Sequence, residues 1–409
     1  MDKIPVTIPY FTESEEIAAI NVLRTGWVAQ GPRVSEFEEA VAEHENVKFG
    51  VATSSCTTAL HLAMISMGMG ASMDVLAPAF TFVATINSIV ATGATPILID
   101  VCQDTFNIDV DMLINVIKDN YVRDKEVYRN KKTGNLLWGI VPVHQFGLCC
   151  NILEINKIAK EYGFKVVEDA ACALGAKINE THIGGFGNPA CVSFHPRKSI
   201  TTGEGGMILT DNGKLARFMK ELRSHGSSVS ADTRHAGKGF LLPEFKEAGY
   251  NYRMTDIQGA IGIEQVKKLD YILDEKRKRA RIYDQLISNL LPEFIVPTAP
   301  NNYYHTFQSY VCMLNIQKIG LKNIELAGEF RNNLLAELEK VGIATRQGTH
   351  AVHLLDYYKN YYGYNKMDYP NAYACDRLSI TLPLYVQMTS EDQEYVIGRI
   401  RYLLDNRES

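Results

Sequence analysis

The chain carries eight cysteines, yet it has no CxxC pair and no cysteine set beside a histidine at metal-ligand spacing. That arrangement disfavours zinc and redox motifs, so no metal is expected. Cys56, Cys102, Cys149, Cys150, Cys172, Cys191, Cys312 and Cys375 read instead as reduced thiols of a cytoplasmic protein. No apolar run follows Lys3 in the opening MDKIPVTIPYFTESEE, and a secretory signal is therefore not expected. Positive charge is not in surplus either: 42 Lys and Arg face 47 Asp and Glu, a net charge of -5. Such a chain has no general attraction for a phosphate backbone or an anionic membrane, which argues against both as partners. Between Asp74 and Asp100 no charged residue occurs, but Pro78, Thr81, Thr85, Asn87, Ser88, Gly93 and Pro96 interrupt the stretch. A strand, a helix and a strand inside a large core explain it better than a membrane span.

What is present describes a soluble globular protein: 409 residues, 46% hydrophobic and 22% charged, enough for a sizeable core. From Phe49 to Asp100, strand-like FGVAT, MDVLAP and TPILID alternate with helix-like TTALHLAMISMG and TFVATINSIVATG. The rhythm resumes at WGIVPVH, a helix near Ile152 to Tyr162, and the strands FKVVEDA, ACVSF and GGMILTD. The expected class is α/β, a large domain with a mostly parallel central sheet flanked by helices. The excursion from Asp119 to Trp138 reads as a surface hairpin, with a lid as the other reading. After Val266 a long amphipathic helix begins, and its Lys276, Arg277, Lys278, Arg279 and Arg281 read as a solvated face. The strand FQSYVCML and the helices IELAGEFRNNLLAELEKVG and SEDQEYVIGRIRYLL then suggest a smaller α+β domain. The division is thus 1–265, an arm and the large domain, and 266–409, a linking helix and the small domain.

Four separated features share one rationale, an anionic aromatic cofactor. The turn Thr53 to Thr58 lies between a strand and a helix, where free helix N–H groups suit a phosphate; Ser and Thr are equally common as plain caps. Glu168 and Asp169 close an apolar strand, where an acid can hold a pyridinium nitrogen or merely cap the next segment. Lys198 follows the buried strand VSF, and desolvation there would lower its pKa and free its amine. GYNYRMTD opens a further helix at Thr255, whose bland reading is an N-cap.

These stretches, above all SFHPRKSITTGEGG, resemble the sugar-nucleotide aminotransferases of the DegT and StrS type. Thr25-Gly26-Trp27 and Gln30-Gly31-Pro32 extend the likeness, which runs from Ile8 to the last helix. The resemblance implies fold type I, that of aspartate aminotransferase, with pyridoxal 5'-phosphate (PLP) as cofactor and pyridoxamine 5'-phosphate as its intermediate form. Lys198 would bind the cofactor and move the proton, Asp169 would pair with the pyridine nitrogen, and Phe82 would stack on the ring. Cys56, Thr57 and Ser193 would hold the phosphate, with Asn251 reaching it from the other subunit of a homodimer. Cys172 stands where such proteins commonly have Gln, Glu or His, beside the cofactor's hydroxyl. Substrate contacts fall to Trp27, His195, Arg346, His350 and His353, and the basic group of Arg346, His350 and His353 suits a diphosphate.

The activity so implied is transfer of an amino group from L-glutamate to a keto group, at C4, of a nucleotide-linked keto-deoxysugar. Its place would be amino-sugar and surface polysaccharide (O-antigen, lipopolysaccharide) biosynthesis. Lys198 itself argues against sugar dehydration, since related dehydratases carry His there. Two rivals stand beside this reading: amination of a non-nucleotide ketone, such as a keto-inositol or phosphorylated ketone, and a non-catalytic PLP-binding regulator. The regulator predicts an appended DNA-binding element, and none is evident.

Overall fold

A computed structural model describes residues 3–227 and 244–406. Its centre is a sheet in which Thr95–Ile99, Met73–Pro78, Leu136–Ile140 and Lys165–Val166 pair in parallel in that order. The same chain then continues through Val167 into Glu168–Asp169, which pairs in parallel with Ala190–Ser193. Gly206–Thr210 pairs antiparallel with Ala190–Ser193 on one side and with Phe49–Thr53 on the other. The sheet is therefore mostly parallel, as expected, with Gly206–Thr210 running against the rest. Parallel strands covered on both faces need continuous apolar runs, and Val51, Val75, Leu76, Ile140, Val192 and Ile208 are all fully buried.

The flanking helices begin where the sequence supplies caps. Asn151 accepts the Glu154 N–H at the start of Ile152–Tyr162, and Gly163 ends that helix in a left-handed conformation. Thr255 and Gln258 form a reciprocal capping box at the head of Asp256–Val266. The excursion is a hairpin, Tyr121–Asp124 against Val127–Asn130. It is tied to the central sheet because the buried Asp74 carboxylate accepts from Tyr121, Asn130 and Asn135.

The long helix Leu269–Leu290 leads into a three-stranded antiparallel sheet of Phe294–Ile295, Tyr310–Leu314 and Ser379–Leu382. Helices Ile324–Lys340 and Ser390–Asp405 accompany it. The two parts share a hydrophobic cluster that runs from Val51 and Leu60 to Tyr310 and Ile400. Ile4 bridges Ile343, and Leu384 donates to the Val6 carbonyl, so the amino-terminal arm packs on the carboxy-terminal part.

One expectation fails on the long helix. Lys276 is buried, donating to the Gln308 carbonyl, and burial pushes its ammonium down to about 7. Arg277 donates to the His305 carbonyl with its guanidinium 3.9 Å from the Tyr304 ring, and Arg279 donates to the Met388 carbonyl. Only Lys278 and Arg281 of this cluster are exposed. Cationic residues spaced on an amphipathic helix look solvated until the neighbouring carbonyls that receive them are known.

Candidate active site

The carboxyl end of Lys165–Asp169 and the strands beside it gather the chemistry. Asp169 is buried; its Oδ2 accepts from the Thr85 hydroxyl at 2.7 Å and its Oδ1 from the Ala171 N–H at 3.1 Å. Burial pushes this carboxyl up, while Thr85, Ala171 and Lys198 pull it back. Behind it, His144 Nδ1 accepts from the Cys150 N–H, which leaves Nε2 to donate to Glu168 at 3.0 Å. That pair is wholly buried and fixes the strand end, because the His144 N–H also donates to the Asp169 carbonyl.

Lys198 lies half-buried on the turn after Ala190–Ser193, with Nζ 3.1 Å from Cys172 Sγ. Burial acts to lower its pKa, as the sequence suggested, but the Cys172 sulfur and the Asp169 carboxylate outweigh it and the net shift is upward. The expected direction is therefore corrected: the neighbouring sulfur and carboxylate favour the charged ammonium over the free amine.

The turn before helix Cys56–Ser66 ends in a side-chain cap. Ser55 caps the helix by accepting the Thr58 N–H, which leaves the first N–H groups without intrahelical acceptors. Gly206 packs directly beneath: a Cβ there would lie 2.4 Å from the Ser55 carbonyl carbon. Ser193, at the end of the neighbouring strand, is buried. The Ser54 N–H donates to the Tyr252 carbonyl, and Asn251, one residue earlier, is exposed. Phe82, the residue before helix Val83–Ala91, is 63% exposed, an unusual state for a phenyl ring in a core-facing segment.

These residues fit PLP. The amine, the buried carboxylate, the exposed ring and the helix N-terminus supply a partner for each polar or planar part of that cofactor. Lys198, Asp169, Cys56 and Cys172 are close enough for their charges to act on one another. Cys56 is a buried thiol, pushed well up by burial, so it offers its backbone and not a thiolate.

The expected substrate residues separate. His195, Arg197 and Arg346 line one cavity of about 750 Å³, together with Lys3 and Asn332. Trp27 lines another of about 710 Å³ between helices Glu13–Thr25, Pro32–His44 and Asp256–Val266, with Nε1 donating to the Gln30 carbonyl. His350 is exposed on a short strand paired with Phe80–Thr81, next to Phe82. His353 is fully buried, its Nε2 3.1 Å from the Lys366 carbonyl, and it offers no face to a substrate. Three site residues escaped the sequence reading. Thr85 stands three positions after Phe82, on the first helical turn, and Arg197 precedes Lys198 directly, so spacing could have marked both. Gln308, which joins Lys276 to the Arg197 carbonyl, had no local signal.

Gathered at one edge of such a sheet, these groups define a class: PLP-dependent aminotransferases of fold type I. The model of the DegT/DnrJ/EryC1/StrS aminotransferase family matches residues 9–401. The chain belongs to that family. It is 35% identical to an uncharacterized protein of Methanocaldococcus jannaschii over 405 residues, 99% of this chain and 98% of the relative. The spore coat polysaccharide biosynthesis protein SpsC of Bacillus subtilis is 32% identical over 398 residues, 97% and 96% of the two chains. The PLP form of Spr1654 from Streptococcus pneumoniae, described as a sugar aminotransferase, superposes with a TM-score of 0.86 at 25% identity, covering 100% of both chains. PLP is accordingly the cofactor. Among the described residues no helix is long and apolar enough to cross a membrane.

Proposed function

We propose that this chain transfers an amino group from L-glutamate to the C4 keto group of a nucleotide-linked keto-deoxysugar, in amino-sugar and surface polysaccharide biosynthesis. The observation that carries the substrate class is a pair of guanidiniums on one cavity, Arg197, which directly precedes Lys198, and Arg346. Burial and the charge of Arg346 both push the Arg197 guanidinium down, and neither arginine forms an ion pair with a carboxylate among the described residues. Two like charges facing one cavity favour a dianion such as a diphosphate. The family, and SpsC's part in polysaccharide synthesis, support a sugar as the group that carries the ketone. C4 rests on the resemblance of SFHPRK and NYRM to C4 enzymes.

When bound, PLP supplies a conjugated ring that takes up the electron pair released as a proton leaves the substrate carbon. The protein does the rest. Lys198 Nζ, once deprotonated, would take that proton from the donor carbon and pass it to the cofactor's C4' carbon within the same half-reaction, and would carry a proton from C4' to the former keto carbon in the second. Asp169, held by Thr85 and the Ala171 N–H, would be the carboxylate partner of the ring nitrogen. Cys56 and Thr57 offer backbone N–H groups and Ser193 its hydroxyl to the phosphate, and Asn251 completes that cradle from the second subunit of a cytoplasmic homodimer.

The test is a panel of ketones offered with glutamate: nucleotide-linked keto-sugars, a keto-inositol and phosphorylated ketones. The expected result is turnover of the nucleotide-linked sugar at C4, abolished in Lys198→Ala. The arginine pair also suits a phosphorylated ketone, and preference for one would replace the nucleotide assignment. Full turnover by Lys198→Ala would overturn the mechanism. Cofactor binding without transfer to any ketone would favour a regulator.

A further inference from the structure

Away from the cofactor site, three segments distant in sequence meet around one buried carboxylate. Helix Pro32–His44 ends on His44 and is followed by Glu45. A tight antiparallel pair, Lys177–Ile178 with Thr181–His182, brings His182 opposite. The first turn of the long helix contributes Asp270. The Glu45 side chain is wholly buried. Its Oε1 lies 2.8 Å from His44 Nδ1 and accepts the Gly175 N–H at 2.9 Å. Its Oε2 and His182 Nδ1 lie 3.4 Å apart, and both are buried without a hydrogen-bond partner.

Among the described residues no lysine or arginine pairs with Glu45. Lys177, the nearest cation in sequence to His182, is engaged by Glu180. A buried carboxylate needs a compensating charge, and here only two imidazoles face it. One ligand atom from each of His44, Glu45 and His182 falls within a 4.8 Å span. Bond lengths of roughly 2.0–2.2 Å in a tetrahedral zinc site place ligand atoms about 3.3–3.6 Å apart, which matches the 3.4 Å between the unpaired Oε2 and Nδ1. His44 Nε2 meets Asp270 Oδ1 at 3.1 Å. A carboxylate on the far nitrogen of a liganding histidine is the usual means of fixing its ring and tautomer. The carbonyl end of helix Pro32–His44 adds a partial negative charge on the same side.

We propose that His44 Nδ1, His182 Nδ1 and a Glu45 carboxylate oxygen bind a divalent zinc-like cation, with Asp270 orienting His44 and water in the fourth position. The expectation of no metal drawn from cysteine spacing does not reach this set, which contains no cysteine and joins His182 to His44 and Glu45 from more than 130 positions away. The ion would staple helix Pro32–His44, the short hairpin and the long helix to one another, remote from the chemistry at Lys198.

The test uses PLP-loaded protein, stripped with a chelator and titrated with Zn2+ alone against a chromophoric competitor. The wild type should take up one ion per chain at this site and melt at a higher temperature with zinc than without. His182→Ala should bind at least 100-fold more weakly and lose the zinc-dependent rise in melting temperature, with its cofactor absorbance unchanged. Asp270→Asn, at a side chain that is 88% exposed and so harmless to folding, should weaken binding by roughly 10- to 100-fold. Replacement by Co2+ should give a tetrahedral visible spectrum without a thiolate charge-transfer band. Failure of the wild type to bind, equal affinity in wild type and Asp270→Asn, or a thiolate band would each overturn the site. None of these outcomes bears on the transamination assignment, which is read by the ketone panel.

Discussion

Asp169→Asn separates the charge at the ring nitrogen from the shape of the residue that carries it. The surroundings accept the amide. Its oxygen can keep the Ala171 N–H, and its NH2 can donate to the Thr85 hydroxyl, which is free to turn toward Thr81 Oγ1 at 2.9 Å. Burial raises the Asp169 pKa, so ionising it opposes folding of the apoprotein at neutral pH, and a neutral amide relieves that cost. The apoprotein should therefore melt at the wild-type temperature or slightly above. Catalysis should respond in the opposite direction. Leaving a buried cationic ring nitrogen without its carboxylate costs about 3–5 kcal/mol. At 1.36 kcal/mol per tenfold, that is a loss of roughly 150- to 5,000-fold in kcat/KM. Steady-state transamination at saturating PLP, paired with calorimetry of the apoprotein, reads both quantities. Activity within tenfold of wild type would refute the role of the charge. An apoprotein melting point that falls along with the activity would mean that Asp169 acts through the fold.

Two further outcomes follow from the same geometry. Glu38 is buried between Arg223 and Lys220 and also accepts the Ala52 N–H of the strand that leads to the phosphate turn. Burial disfavours its ionised form, but the two cations more than offset this and hold its pKa below the usual range. Its stabilisation is thus full above the unfolded carboxylate value and is lost as pH falls through the lower folded value. Glu38→Gln should lose about 3–5 kcal/mol in urea denaturation at pH 7, with the deficit shrinking in acid; a deficit independent of pH would exclude the ion pair as its source. Gly206→Ala should destabilise by about 1–3 kcal/mol, since the new Cβ meets the Ser55–Cys56 backbone. It should also weaken PLP binding about tenfold, as followed by absorbance titration, because the clash displaces the helix N-terminus that faces the phosphate.

Most of the site was legible because its parts are local. Strand ends, caps and turns leave marks within a few residues, and so Asp169, Lys198 and the Thr53–Thr58 turn could be proposed as candidates one motif at a time. The helices Ile152–Tyr162 and Leu269–Leu290 were equally readable, from apolar spacing and capping residues. Residues whose role depends on what lies across the fold were misread. Lys276 looked like part of a solvated face until the Gln308 carbonyl appeared above it, and His353 looked like a ligand residue until packing enclosed it.

Local sequence by itself determined the alternation of strand and helix, the candidate lysine and the family, since periodicity, caps and motifs are properties of neighbours along the chain. Only the tertiary structure decided charge states and company. Which way the Lys198 pKa moves depends on Cys172, Cys56 and Asp169 set against burial, and how the Arg197 guanidinium is pushed depends on burial and on Arg346. The same holds for the cluster of His44, Glu45, His182 and Asp270. Electrostatic energy depends on distance and burial in space, and neither is written in the separation of two residues along the chain.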